Sequence, residues 1–232
     1  MYKKIILTCS ILLFSNICFA NDIETQLIQE NIIQNKINSI GATVLNSNRI
    51  DKRIIFTYDK TSKNKIIKNI DTLSKRQVII YGNLYKTTEN DDEIAAILAR
   101  EISTAVKSYD GMWGGRIDSL QVLLGSKKFE TVADKRAVDY MFNAGYDPIA
   151  LITYIQKTCP QKRSDRFSRT NLTSKRLARI YEYITYKYPY YLKESKYLDN
   201  KYYQNFLLTS INNRKLLEEK IKNNTTKELK YE

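Results

Sequence analysis

The sequence has 232 residues, with 38 Lys and Arg against 25 Asp and Glu, and a net charge of +13. It contains no histidine, the residue that supplies most ligands of catalytic zinc sites and the base of most catalytic dyads and triads. This composition therefore excludes a conventional catalytic zinc site and a hydrolase that uses a histidine base.

The first twenty residues have the pattern of a secretory signal peptide. Two lysines form a positive n-region, residues 5–14 form a short apolar h-region, and Ala20 suits the cleavage site. The apolar run is shorter than the 18 or so residues that a single membrane span needs. The alternative is a retained anchor or a lipid on Cys18. We predict that residues 1–20 are cleaved and that the mature chain leaves the cytoplasm.

Removing the signal leaves about 212 residues, a net charge of +11 and one cysteine, Cys159. That length suits one domain with its own core. Cys159 is then either a buried thiol or half of an intermolecular disulfide. The positive charge suits an anionic membrane surface or a cell-wall polymer, although the abundance of Ile, Lys, Asn and Tyr also fits an A/T-rich genome. Because no nucleic-acid-binding motif is present, we expect no nucleic-acid partner.

The first half of the mature chain predicts helices mixed with short strands. Apolar spacing predicts a helix over residues 22–39 that ends at Gly41. Runs of β-branched residues predict strands over 42–45, 53–58 and 77–81. Further helices are predicted over 66–73 and, with Asn90 as its N-cap and three acidic residues in its first turn, from there to about Lys107.

The second half predicts helices only. They follow a glycine-containing loop at 111–115 and cover 120–125, 128–144, 148–157, 173–187 and 199–222. Gly145 suits a helix C-cap, and the polar tail 223–232 is expected to be frayed. The order of elements predicts a mostly helical α+β fold, with a single domain over 21–222.

Three blocks of the chain, in order, carry a resemblance to a known family. The first reads IIYGNLYKTTENDDEIAAILAREIST (79–104), the second joins ETVAD (130–134) to AGYDP (144–148), and the third reads TNLTSKR (170–176). Together they resemble the M-48 zinc metallopeptidases, which include the CAAX prenyl protease and bacterial periplasmic quality-control proteases. The resemblance covers about residues 77–184. It implies a gluzincin-like metallopeptidase domain, with a small N-terminal sheet and a helical C-terminal part, and a periplasmic location.

In that family two histidines of a His-Glu-x-x-His helix and a later glutamate bind zinc, while the glutamate of the motif activates the metal-bound water. The resemblance places Arg100 and Thr104 at the two histidine positions and Glu101 at the general base. It places Glu130 at the third metal ligand. It places Asp134 at the carboxylate that orients a ligand histidine.

In the third block Thr170 stands where the family has a histidine, and Arg176 matches the family's arginine. Both imidazoles of the metal helix are missing while the acidic residues remain. We therefore expect no zinc and no other cofactor, and we expect Glu101 to be vestigial. Arg100 is predicted to lie between the two carboxylates of the second block and to replace the charge of the ion. The alternative is that Arg100 points to solvent.

The leading hypothesis is a non-catalytic pseudopeptidase that binds peptides or envelope proteins. Residues 77–81 resemble the edge strand with which related enzymes pair their extended substrates. The alternative is an active metalloendopeptidase with an atypical, all-oxygen metal site, and a third hypothesis is a purely structural envelope protein. Nine of the 18 tyrosines lie between Tyr181 and Tyr203, interleaved with lysines. This segment predicts either an aromatic-basic binding surface or ordinary helix packing.

The signal-peptide assignment predicts that protein recovered from the cell envelope begins near Asn21. The reason is that the small residue at position 20 follows an h-region of the usual length. Intact-mass measurement checks this. A mass that includes residues 1–20, or an attached lipid, would contradict it.

Overall fold

The computed structural model describes residues 2–61, 77–107, 126–159 and 172–232. In these ranges the helices are α1 (Tyr2–Ser47), α2 (Gly82–Thr87), α3 (Asp91–Lys107), α4 (Ser126–Asn143), α5 (Ile149–Thr158), α6 (Thr173–Lys187), α7 (Tyr191–Glu194), α8 (Lys201–Thr209) and α9 (Ile211–Lys222). The strands are β1 (Ile55–Asp59) and β2 (Gln77–Tyr81). The fold is thus α+β and mostly helical, as predicted.

Helix α3 forms the centre of the core. Residues 94–99 are each at most 2 % exposed, so this part of the helix is surrounded on all sides, as expected for a helix that is apolar all round. Its neighbours are α1, α4, α5 and β2. The predicted N-cap is present, because the Asn90 Oδ1 accepts a hydrogen bond from the Glu93 backbone N–H at 3.2 Å.

The two strands pair in parallel, with Thr57 of β1 opposite Ile79 of β2. Helix α1 packs on β1, and α3 packs on β2. In the described ranges, no helix combines the length and apolar character that crossing a membrane requires. The predicted elements at 66–73, 111–115 and 120–125 lie outside the described residues.

Helix α1 departs from the prediction, because it continues through Gly41 and includes residues 42–45, which were predicted to form a strand. Gly41 has a packing role instead of a terminating one. A Cβ added there would lie 2.4 Å from Cε2 of Phe56, so the bare glycine lets the Phe56 ring of β1 approach the helix. Tertiary packing therefore overrides the β-branched residues of this stretch.

The C-terminal region also differs from the prediction. The expected helix over 199–222 is interrupted at Ser210, whose backbone (φ −102°, ψ 13°) separates α8 from α9. The end of the tail is not frayed, because Tyr231 is only 4 % exposed. The Asn213 side chain donates to the Glu232 carbonyl at 3.0 Å and accepts from the Glu232 N–H at 3.1 Å.

Much of the tyrosine-rich segment serves internal packing. Tyr197 and Tyr203 are buried. The hydroxyls of Tyr183 and Tyr188 both donate to the Asp139 carboxylate, which also pairs with a lysine. Burial and the nearby carboxylate raise the pKa of Tyr188 to about 12. Tyr190, in contrast, is 67 % exposed.

The contact at Gly41 predicts strong coupling with Phe56. Gly41→Ala should lower the free energy of unfolding by up to about 2 kcal/mol, because overpacking costs about 1–3 kcal/mol and the gain in helix propensity offsets about 1 kcal/mol of it. In a Phe56→Leu background the same change should be neutral or stabilising. Urea unfolding of the four proteins in this double-mutant cycle checks this, and equal losses in both backgrounds would refute it.

A buried arginine–carboxylate cluster as the candidate functional site

Three helices bring the predicted site residues together. Arg100 and Glu101 lie on α3, Glu130 and Asp134 on α4, and Arg176 in the first turn of α6. Glu130 and Asp134 are four residues apart and so share one face of α4. Helix α4 packs against both α3 and α6, which places its two carboxylates between the two arginines.

Asp134 is the centre of the cluster. Its side chain is 2 % exposed. Arg176 donates to it in a bidentate fork, from Nε to Oδ2 at 2.5 Å and from Nη2 to Oδ1 at 2.7 Å. Arg100 adds a third hydrogen bond, from Nε to Oδ1 at 3.2 Å. Charge-assisted, bidentate hydrogen bonds of this kind are among the strongest in proteins.

Arg100 links three carboxylates. Besides bonding Asp134, it donates from Nη1 to the Glu101 Oε1 at 2.7 Å, and its Nη2 lies 4.0 Å from the Glu130 Oε1. Its side chain is only 23 % exposed. The predicted ion pair of Arg100 is therefore present, and Arg100 does not simply point to solvent.

Arg176, which the motif blocks did not place between the two carboxylates, is also a partner of both. Its Nη1 lies 3.7 Å from the Glu130 Oε1, in addition to the fork on Asp134. The sequence carried a signal for this. Arg176 lies beside the buried residues Leu177, Ile180 and Ile184 at helical spacing, so it belongs to the apolar stripe of α6 and needs a buried partner.

The pKa shifts in the cluster follow from burial and charge. Burial opposes the charge on Arg100, but the carboxylates of Glu101, Asp134 and Glu130 outweigh it and raise the pKa of the guanidinium. Burial also raises the pKa of Glu101, and the neighbouring Arg100 opposes this shift only in part. Burial is the largest cause of this shift, so the pKa of the Glu101 carboxyl lies above its ordinary value.

Thr104, the other motif position on α3, does not join the cluster. The Thr104 hydroxyl donates to the Arg100 backbone carbonyl one turn earlier, at 3.1 Å. Thr170 lies outside the described residues. The cluster therefore consists of the four acidic and basic positions of the first two motif blocks together with Arg176.

The residues present do not fit a zinc ion. A guanidinium lies against Glu130, and the position one turn along α3 carries a hydroxyl already bonded to the backbone. Over the described part of the chain, no group of three or more Cys, Asp or Glu side chains is placed to hold a metal. Two permanently charged arginines, with nitrogen atoms 4.0 and 3.7 Å from the Glu130 Oε1, would repel a cation bound there.

No protein family model matches this chain, and no curated protein matches it significantly. A family assignment therefore depends on the residues of the three motif blocks and on their arrangement in space. The arrangement brings residues of all three blocks into one cluster, through Arg100, Asp134 and Arg176.

The two arginines should differ in their contribution to stability. Arg176→Ala should lower the free energy of unfolding by about 3–5 kcal/mol, because the buried Asp134 loses its bidentate fork and keeps only the longer hydrogen bond from Arg100. Arg100→Ala should cost less, about 2 kcal/mol, because Asp134 keeps its fork with Arg176. Urea unfolding at pH 7 measures both. The exposed Lys128 on α4, the helix that carries Asp134, is the control, and Lys128→Ala should change stability by no more than about 0.5 kcal/mol. An equal loss in both arginine variants would contradict this order.

The loss caused by Arg100→Ala should depend on pH. Without the guanidinium, burial raises the pKa of Glu101 further above its unfolded value of about 4.3. A carboxyl group with a raised folded pKa loses stability as pH rises from the unfolded to the folded pKa. The variant should therefore be less destabilised at pH 5 than at pH 7, measured by urea unfolding. Adding Glu101→Gln should remove this difference, and a loss that is the same at both pH values argues against an unpaired Glu101.

Proposed function

We propose that this chain is a non-catalytic relative of the M-48 metallopeptidases, an exported periplasmic protein that binds extended segments of peptides or envelope proteins. One observation carries the proposal. The acidic cluster at which such an enzyme would hold its metal is filled by Arg100 and Arg176. The cluster is therefore a structural ion-pair network that joins three helices.

Glu101 is poorly suited to act as a general base. It is 7 % exposed, and its Oε1 accepts a charge-assisted hydrogen bond from Arg100. A base must reach the proton that it removes, and in the metallopeptidase mechanism the metal supplies most of the activation of water. The retained glutamate thus contributes a charge to the network.

The hydrogen-bonding pattern of the two strands indicates which backbone groups of the sheet are able to bind a partner strand. Along a strand, successive residues of a parallel pair direct their N–H and C=O groups to opposite sides. Phe56 and Tyr58 direct theirs towards α1, where Gln34 bonds to them. The N–H and C=O of Thr57, the residue between them, therefore point towards β2. Ile79 lies opposite Thr57 in β2, and its own N–H and C=O point away from β1.

The outer edge of β2 is the proposed binding surface. In the described ranges the sheet has two strands, so no third strand pairs with Ile79. An added strand would form backbone hydrogen bonds with Ile79, while flanking pockets select side chains. Binding of this kind needs no metal.

The binding proposal predicts a specific effect of Ile79→Pro. Proline removes the outward-facing N–H but leaves the ladder to β1 intact, and edge positions tolerate it. The variant should bind fluorescently labelled β-casein, a flexible protein, at least about tenfold more weakly than the wild type, the scale of one lost hydrogen bond. Fluorescence anisotropy measures this, and Ile79→Val, which keeps the N–H, is the matched control.

The same samples distinguish the proposal from an active metalloendopeptidase. The wild type should leave β-casein intact and should contain no stoichiometric zinc. Equal binding by the Ile79→Pro and wild-type proteins would reject the β2 edge as the site. Chelator-sensitive cleavage together with one zinc per chain would overturn the non-catalytic proposal as a whole.

The family relationship itself predicts that zinc binding is recoverable. Arg100→His with Thr104→His places two imidazoles four residues apart on one face of α3, beside Glu130. The double variant should bind about one zinc per chain by isothermal titration calorimetry and unfold at a higher temperature when zinc is added. The same variant with Glu130→Gln should bind more weakly. A double variant that folds but ignores zinc would count against the relationship.

A further inference from the structure

The outer edge of β1 is bonded to a side chain. The Gln34 Nε2 on α1 donates to the Phe56 carbonyl at 2.9 Å, and the Gln34 Oε1 accepts from the Tyr58 N–H at 2.7 Å. In a parallel sheet one residue of a neighbouring strand bonds to these same two groups, because it lies opposite the residue between them. The Gln34 amide thus takes the place of a third-strand residue opposite Thr57.

A second residue of α1 fixes the orientation of this amide. The Gln34 Nε2 also donates to the Asn38 Oδ1 at 2.9 Å. If the amide were turned over, its oxygen would face two acceptors, the Asn38 Oδ1 and the Phe56 carbonyl. Only one orientation of the Gln34 amide therefore pairs each of its donors with an acceptor and its oxygen with a donor.

Helix α1 runs antiparallel to β1 and keeps Gln34 at this position. One turn before Gln34, Glu30 pairs with Lys60 at 3.1 Å, just beyond the end of β1. Two turns after it, Gly41 admits the ring of Phe56. From Glu30 to Gln34 the helix advances about 6 Å, and from Lys60 back to Tyr58 the strand covers about 6.6 Å. The two contacts are therefore spaced equally along the helix and the strand.

We propose that Gln34 closes the outer edge of β1 against strand addition, so that the sheet accepts a partner strand at the β2 edge alone. This inference rests on the proposed binding function of β2, but the closure is testable separately from it. An open edge presents unpaired N–H and C=O groups and is a template for another chain. The chain that fits an opened β1 edge is a second copy of this protein.

The pairing of two copies follows from symmetry. Two identical β1 edges related by a twofold axis run antiparallel and present the same groups to each other. Phe56 and Tyr58 supply the donors and acceptors on each side once Gln34 is withdrawn. The Ile55 side chain, which is 46 % exposed, provides apolar surface next to the edge. Gln34 thus acts as a specificity-determining residue, because it blocks the outer edge of β1 and so restricts strand addition to the β2 edge.

Replacement of Gln34 by methionine tests the closure. Methionine has a similar length but no amide, so Gln34→Met should speed hydrogen exchange of the Tyr58 amide by about tenfold, the scale of one lost hydrogen bond. It should also produce a dimer at high protein concentration in sedimentation velocity, where the wild type stays monomeric. Adding Tyr58→Pro removes the outward-facing donor and should restore the monomer.

Each remaining outcome counts for or against the closure. The closure would be overturned if the Gln34→Met protein stayed monomeric and its Tyr58 amide exchanged hydrogen at the wild-type rate. It would also be overturned if the dimer persisted after Tyr58→Pro was added. If Gln34→Met does not fold, Gln34→Leu replaces it: this variant also lacks the amide, and unchanged exchange at Tyr58 would reject the proposal. Because none of these measurements uses β-casein, failure of the closure and failure of peptide binding at Ile79 are distinguished.

Discussion

Burial of one carboxylate organises this fold. Asp134 is almost inaccessible to solvent, and an aspartate at such a site has to be compensated by positive charge. Arg176 and Arg100 supply that charge from two different helices. Since each arginine also reaches Glu130, helices α3, α4 and α6 are held at one relative position. The central helix α3 is thereby fixed near its middle by the ion pairs of Arg100 and over residues 94–99 by apolar packing.

Within the proposed family relationship, the same geometry explains how the acidic positions of a metal site can persist without the metal. A metal ion and a pair of guanidinium groups meet the same electrostatic need, which is to neutralise neighbouring buried acids. They differ in what they offer a substrate. An ion polarises bound water, whereas an arginine held in hydrogen bonds to carboxylates has no free coordination position. The acidic residues then remain for structural reasons, and this accounts for Glu101 and Glu130 within the proposed family relationship.

Local patterns predicted some elements closely and failed where distant residues decide. Strand β2 and helix α6 follow their predicted bounds because a run of β-branched residues and helical spacing are local properties. The continuation of α1 through Gly41 depends on Phe56, fifteen positions later. In the site, the absence of histidine is evident from the sequence and the ion pair of Arg100 was predicted from the family resemblance, but the fork of Arg176 depends on how α4 meets α6. Gln34 has no sequence signature at all, because its role requires the position of β1.

The arginine pair has a consequence for how the protein reaches its native state. A domain that depends on a metal must acquire the ion before its site is complete, so its folding follows metal supply and proton concentration. Here the compensating cations are covalent parts of the chain, and guanidinium groups stay charged at every physiological pH. The network around Asp134 is therefore complete as soon as the helices meet. Neither a chelator nor competition for scarce metal in the surroundings can take its cations away.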